Sequence, residues 1–449
     1  MPHEDPITLK GKVKADIAII GGGFVGLWTA IAIKELEPSA NVVVLEMGRC
    51  GQGASGMNGG MLMTWWPKII ALCKLCGQGD ALWLAEKTTQ SIETLAAFLD
   101  SHNIDAELVT SGWLWTATSP LHIGSWKNVQ EKTRLLSNRE IFQDISKEEL
   151  CWRTGSSAHL AGVYEKMNGT LHPGKMGSGL AQIARKLGVA IFENSRVKKF
   201  DKSQPVKLYT AHGVVETTKV VITNNAWAAS IPNLSPYFVC VTSAAFATIP
   251  IPDRLKDIGW TGGESITDSQ TTVNYYRTTK DGRIVFGKGG GKLLYTGAPR
   301  QAAFNDLIGA KNAINDFRRV YPNLADVPVD SAWSGPIDRT YDSLPLIGRI
   351  TKSPHISYGV GWSGNGVNTS RIGGRILAGL ALDIQDRWTE NGLVGRTAKR
   401  FPPEPIRYIG GNMVRAATAR KDKSEINGHK GYAFDRILSS LAPSGLEDK

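Results

Sequence analysis

The chain has 449 residues, 42% hydrophobic and 21% charged, a composition that supplies two apolar cores and contains no low-complexity block or internal repeat. Its net charge of +11 is spread without a run of like charge, so no nucleic-acid partner is expected, while anionic substrates fit. Five cysteines are an odd, sparse set suited to a reducing compartment, and the polar N-terminus lacks the apolar stretch of a signal peptide, so the expected location is cytoplasmic.

In chain order, residues 15–33 are the most apolar, but glycines 21–23 interrupt them where a strand should turn into a helix, so no integral membrane segment is expected. ADIAII at 15–20 reads as a strand, 24–36 as a helix and NVVVLE at 41–46 as a second strand, a βαβ unit. Helices are expected near 80–99 and 179–187, with strands at 189–192 and 219–223. From 237 to 286 β-branched and aromatic runs alternate with turns, and Lys280-Asp281-Gly282 is a hairpin signal, which predicts an antiparallel sheet. Turn-rich sequence at 336–348 leads to a strand at 355–360, a glycine turn and a helix at about 370–382 that rejoins the first domain. The tail from Phe401 starts extended and carries an amphipathic helix at 432–441.

GGGFVG at 21–26 is G-x-G-x-x-G between strand and helix. Gly21 makes the turn, Gly23 admits a pyrophosphate beside Phe24 and Val25, and Gly26 lets helix meet strand. The helix N-terminus then faces the phosphate charge. Glu46 ends the second strand, where it can accept hydrogen bonds from ribose hydroxyls. This predicts a dinucleotide site without choosing between FAD and NAD. GASGMNGG at 53–60, with Gly53, Ala54, Ser55, Asn58, Gly59 and Gly60, offers small residues and backbone N–H donors to a large flat ligand.

These motifs, with NGTLHPGKMGSGLAQIARKLGVAIFENSRV at 168–197, TNNAW at 223–227, RTTKDGRIVFG at 277–287, WSGPIDRTYDSLPLIG at 333–348 and YGVGWSGNGV at 358–367, resemble the FAD-dependent amino acid and amine oxidoreductases of the D-amino acid oxidase superfamily. The similarity points to the branch with gamma-glutamylputrescine oxidoreductase and aminophosphonate oxidases. It implies an α/β protein: a Rossmann-like, glutathione-reductase-type FAD domain from residues 1–90, 150–230 and 335–395, an antiparallel α+β substrate domain from 91–149 and 231–334, and a C-terminal extension, 396–449. It implies FAD contacts at Val197 and at a second turn with Gly361, Ser363, Gly364, Asn365, Gly366 and Val367, whose helix points its N-terminus at the flavin carbonyl. One departure matters. The arginine that binds an α-carboxylate in amino acid oxidases falls at Ile337 here, with Arg339 two residues away, so an amine recognised by a distal group is expected.

Amine oxidation by flavin needs alignment and an unprotonated nitrogen more than a protein base, and no catalytic triad or metal-ligand set is expected. Pocket candidates are Trp65, Trp66, Lys68, Tyr276, Arg277, Arg339 and Trp362, aromatics for a cationic amine and basic groups for an anionic tail. His172 is expected to be structural, and Lys288 to approach the flavin if it assists oxygen. The expected reaction takes a primary or secondary amine, aminophosphonate-like or polyamine-like, to an imine that hydrolyses to an aldehyde, with O2 reduced to H2O2. A dehydrogenase with a respiratory acceptor is the alternative. The other rivals are a thiol–disulfide enzyme using Cys73 and Cys76, a monooxygenase and a non-catalytic flavoprotein subunit.

Overall fold

The apolar run at 15–20 lies in the centre of a parallel sheet in the computed structural model, which describes residues 5–295, 299 and 301–445. Strand Gly11–Ile20 pairs in parallel with Val42–Leu45 on one side and Gly213–Ile222 on the other; Ala190–Phe192 and Ser353–Val360 extend the parallel set. Both faces are covered, which is why Val42–Leu45 is apolar and buried at all four positions instead of alternating. One cover is helix Phe24–Leu36, buried over its first ten residues. Helix Gly366–Ala381 packs on it so closely that a Cβ on Gly374 would meet Trp28 Cβ at 2.6 Å.

The second sheet has eight strands in the order Val329–Arg339, Val239–Thr248, Ile284–Lys288, Asn274–Thr278, Ser265–Asp268, Trp113–Ala117, Ala161–Glu165 and Phe142–Ile145. It is antiparallel except that Ser265–Asp268 runs parallel to Trp113–Ala117. The hairpin read at 280–282 joins Asn274–Thr278 to Ile284–Lys288, with Gly282 at φ +79°. Segment 150–230 contributes to both sheets: Ala161–Glu165 joins the second, Ala190–Phe192 and Gly213–Ile222 the first. One face of the second sheet rests on a stacked aromatic core in which Tyr276 lies 4.7 Å from Phe286 and Trp260 lies 4.8 Å from Tyr321, ring centre to ring centre, each such pair adding about 0.5–1.5 kcal/mol beyond its burial.

The tail departs from its expected form. After the PPEP stretch it forms a 21-residue helix, Ile406–Ile426, before the shorter helix Ala433–Ser439. The long helix leaves Ile406, Ile409 and Met413, which share one face at i, i+3 and i+7, exposed and not packed against either sheet. Polar contacts dock it instead. Buried Asp422 accepts the N–H groups of Thr271 and Thr272 at 3.2 and 2.8 Å, and Glu425 meets His122 at 3.2 Å. Among the described residues no helix is long and apolar enough to cross a membrane.

Candidate active site

A cavity of about 510 Å³ is lined from both sheets. Its nucleotide-side wall begins where the first strand turns into helix. Gly21 has φ +110°, and a Cβ there would sit 2.8 Å from the Thr223 carbonyl oxygen; on Gly26 it would sit 1.9 Å from the Gly21 oxygen. No side chain fits either position. Gly23, Phe24 and Val25 line the cavity at the N-terminus of a helix with no acidic residue in its first turn, and its first amide, Phe24 N–H, donates to Ser55 Oγ at 2.9 Å. Glu46 lines the same wall, its carboxylate accepting Gly22 and Gly48 N–H at 2.7 and 2.8 Å; burial raises its pKa and these two bonds oppose the rise.

The other wall comes from the end of strand Val329–Arg339 and the turn before helix Gly366–Ala381. Side chains alternate along a strand, so Asp338 points away from the face shared by Ile337 and Arg339. Its buried carboxylate accepts the N–H groups of Gly361 and Trp362, and its carbonyl accepts Ser363 N–H at 3.1 Å. Burial raises the Asp338 pKa to about 7 against those hydrogen bonds. Asn365, Gly366 and Val367 line the cavity at a second helix N-terminus that no side chain caps. Two helix N-termini on one cavity, neither capped by its own N-cap side chain, suit an anionic, electron-accepting ligand.

Arg339 lines the cavity and has no acidic partner among the described residues. Among them its one hydrogen bond runs from Nη2 to the Ser444 carbonyl at 2.6 Å, and its buried Nε has no acceptor. Burial lowers its pKa to about 10, which leaves it charged at neutral pH. Nearby on the cavity wall, Tyr275 Oη and Ser243 Oγ share a hydrogen bond at 2.9 Å.

The sequence profile described as "DAO: FAD dependent oxidoreductase" matches residues 16–380. The chain belongs to this family. It is similar to the probable oxidoreductase OrdL of Haemophilus influenzae, 29% identical over 384 residues, covering 83% of this chain and 84% of that one. It also matches gamma-glutamylputrescine oxidoreductase of Escherichia coli, 26% identical, covering 85% and 87%. The crystal structure of glycine oxidase from Geobacillus kaustophilus superposes with a TM-score of 0.70 at 20% identity, covering 83% of this chain and 96% of that one. The mixed α/β fold and the FAD dependence are thus those the motifs implied.

For this FAD dependent oxidoreductase, the cavity gathers Gly21, Gly23, Phe24, Val25, Glu46, Gly53, Ala54, Ser55, Asn58, Gly59, Val197, Ser363, Gly364, Asn365, Gly366, Val367, Arg339 and Trp362. Other candidates lie behind its wall. Gly26 makes the helix–strand contact. Gly60, at φ +72°, has room for no Cβ because the Leu171 carbonyl oxygen would be 2.1 Å away, and Gly361 turns the chain at φ +78°.

Tyr276 must be corrected to its neighbour: strand alternation sends Tyr276 into the aromatic core and Tyr275 to the cavity. Arg277 is structural, its Nε and Nη2 donating to the Gly59 and Leu171 carbonyls at 2.6 and 2.9 Å, which ties the second sheet to the glycine run. Trp65 and Trp66 are buried in the core, and buried Lys68 donates to the Gly445 carbonyl. His172 caps helix Pro173–Lys186 by accepting Lys175 N–H. The Lys288 ammonium is held by Asp316 at 2.6 Å and lies off the cavity. Cys73 and Cys76 sit on helix Ile69–Glu93 away from it, and burial raises the Cys76 thiol to about 11, opposite to what a reactive thiol needs.

Sequence reasoning missed Tyr275, Met61, Met63, Asn224 and Arg196 on the cavity wall. Asn224 lay within a quoted motif, TNNAW. Which face of Asn274–Thr278 meets the ligand depends on pairing across the sheet, which strand periodicity alone does not reveal.

Proposed function

We propose that FAD lies along this cavity, its ADP half at Gly21, Gly23, Phe24, Val25, Glu46 and Val197 and its flavin ring against residues 53–60 and the turn at 361–367. Beside the ring, a small amine bearing an anionic group is oxidised to an imine. The glycine contacts that exclude a Cβ, the carboxylate at Glu46 and the two helix N-termini that face the cavity support the cofactor's fit. Bound FAD supplies the two-electron acceptor. The chain aligns the substrate, excludes water and holds the anion on Arg339.

The substrate nitrogen has to arrive unprotonated, since an ammonium has no lone pair to support oxidation at its carbon. Among the described cavity residues no Lys or His is present, and the carboxylates of Glu46 and Asp338 are both engaged by backbone N–H groups. Solvent therefore takes the ammonium proton, and the rate rises with pH through the amine's own pKa. The released imine hydrolyses to an aldehyde and an amine or ammonia, while O2 is reduced to H2O2.

The observation that carries the substrate reading is Arg339, a charged guanidinium with an unused Nε donor and no acid opposite it among the described residues. It also favours a second reading. Positions 337 and 339 share a strand face, so the displaced arginine still reaches the cavity and can meet the α-carboxylate of an amino acid.

Anaerobic flavin absorbance separates the two. Bleaching by an amine with a distal phosphonate or carboxylate, with colour restored by air, supports the proposal. Bleaching by α-amino acids alone transfers Arg339 to the α-carboxylate, and no bleaching by either class refutes both. Recovery with a quinone but not with air would make the enzyme a dehydrogenase.

A further inference from the structure

The C-terminal extension lies beyond the matched family segment of 16–380, yet its residues 440–445 reach Arg339 on the cavity wall. Helix Ile406–Ile426 is fixed to the second sheet through Asp422 and Glu425, and helix Ala433–Ser439 is fixed to it in turn by Arg420, whose guanidinium meets the Asp435 carboxylate at 2.6 and 3.1 Å. Residues 440–445 then cross to two separate parts of the molecule, the stretch 339–343 and Lys68. Ser444 N–H donates to the Tyr341 carbonyl at 2.9 Å, the Ser444 carbonyl accepts from Arg339 and from Ser343 Oγ, both at 2.6 Å, and the Gly445 carbonyl accepts from Lys68. The described cavity wall presents Arg339 with no other acceptor.

We infer that residues 440–445 are part of the substrate site: the Ser444 carbonyl is a built-in stand-in on Arg339 for the substrate's anionic group, and substrate entry exchanges one for the other. This rests on the reading of Arg339 as the anion anchor. A carbonyl is a neutral acceptor, so it satisfies one donor of a buried cation without cancelling its charge, and a carboxylate or phosphonate displaces it with a stronger, charge-assisted pair. The strap thus keeps the guanidinium from being left bare, and leaves it when substrate arrives. Lys68 and Ser343 act here as positioning residues that hold the strap's carbonyls in reach.

The test is hydrogen–deuterium exchange of the tail peptide in the FAD-loaded full-length enzyme, with propionate and methylphosphonate as unreactive anionic probes and flavin absorbance as an independent measure of binding. Tail amides in the segment 440–445 should exchange about tenfold faster or more when an anion binds, and in the Arg339→Met variant they should exchange fast with or without the anion. An anion that perturbs the flavin while tail exchange stays unchanged overturns the strap but spares the anchor. Failure of both probes to bind overturns the two together. A tail in Arg339→Met as protected as in the wild type also overturns the strap, because Arg339 would then not be what holds it.

Discussion

At the scale of single residues, the family fingerprint has one position stricter than the others. A Cβ on Gly23 would press on Ser55 Oγ at 2.8 Å, a side chain that can move, whereas on Gly26 it would strike backbone at 1.9 Å. Gly26→Val should therefore yield protein without FAD and with a sharply lower Tm, while Gly23→Ala keeps the fold and loses part of its cofactor; absorbance of the purified variants and thermal melts check both. Arg339→Met should raise KM for anionic amines by about 10–100-fold, the worth of a charge-assisted hydrogen bond. Its Tm should not fall, because a half-buried guanidinium without a counter-charge among the described residues contributes little to stability. Loss of both together would make Arg339 structural.

Glu165, fully buried, accepts from Thr64 Oγ1 at 2.5 Å, and burial raises its pKa to about 8. A carboxyl raised in the folded state contributes stability that is complete below its unfolded value near 4 and lost as pH climbs to about 8. Glu165→Gln should flatten the fall in Tm between pH 6 and pH 9; an unchanged slope would show that another group titrates there.

Among the elements, those with a strong local signal were legible and those held by tertiary pairing were not. Strand Gly11–Ile20, helix Phe24–Leu36 and the hairpin around Gly282 follow from apolar runs and turn residues. Strand Ala161–Glu165 fell within a stretch assigned to the first domain, because its partner strand, Trp113–Ala117, lies far back in the chain and no local pattern marks the crossing. The exchange of Tyr275 for Tyr276 has the same cause at one-residue resolution. The helix Ile406–Ile426 escaped for another reason: what holds it is a carboxylate on two backbone amides, and such a contact leaves no periodicity in sequence. Asp422→Ala should release this helix, costing about 2–4 kcal/mol as two threonine amides and a hydroxyl lose their acceptor. Proteolysis within 406–445 should quicken well before global unfolding.

For the whole molecule, the +11 charge has a consequence for rate. If the substrate carries net negative charge, as an ammonium with a doubly ionised phosphonate does, its capture is steered by a positive surface, and kcat/KM should fall as salt rises from 0.02 to 0.5 M while kcat holds, since the Debye length contracts from roughly 20 Å to about 4 Å. A zwitterionic substrate of no net charge should show almost no such fall.

The strand that ends at Arg339 divides its duties by parity. All three of Ile337, Asp338 and Arg339 line the cavity, but the Asp338 carboxylate is held by the turn at 361–362 on one face while the side chains of Ile337 and Arg339 lie on the other. Specificity can thus drift by substitution at odd-numbered positions while the even-numbered one stays fixed, so a new substrate can be acquired in a single step without first surrendering the cofactor.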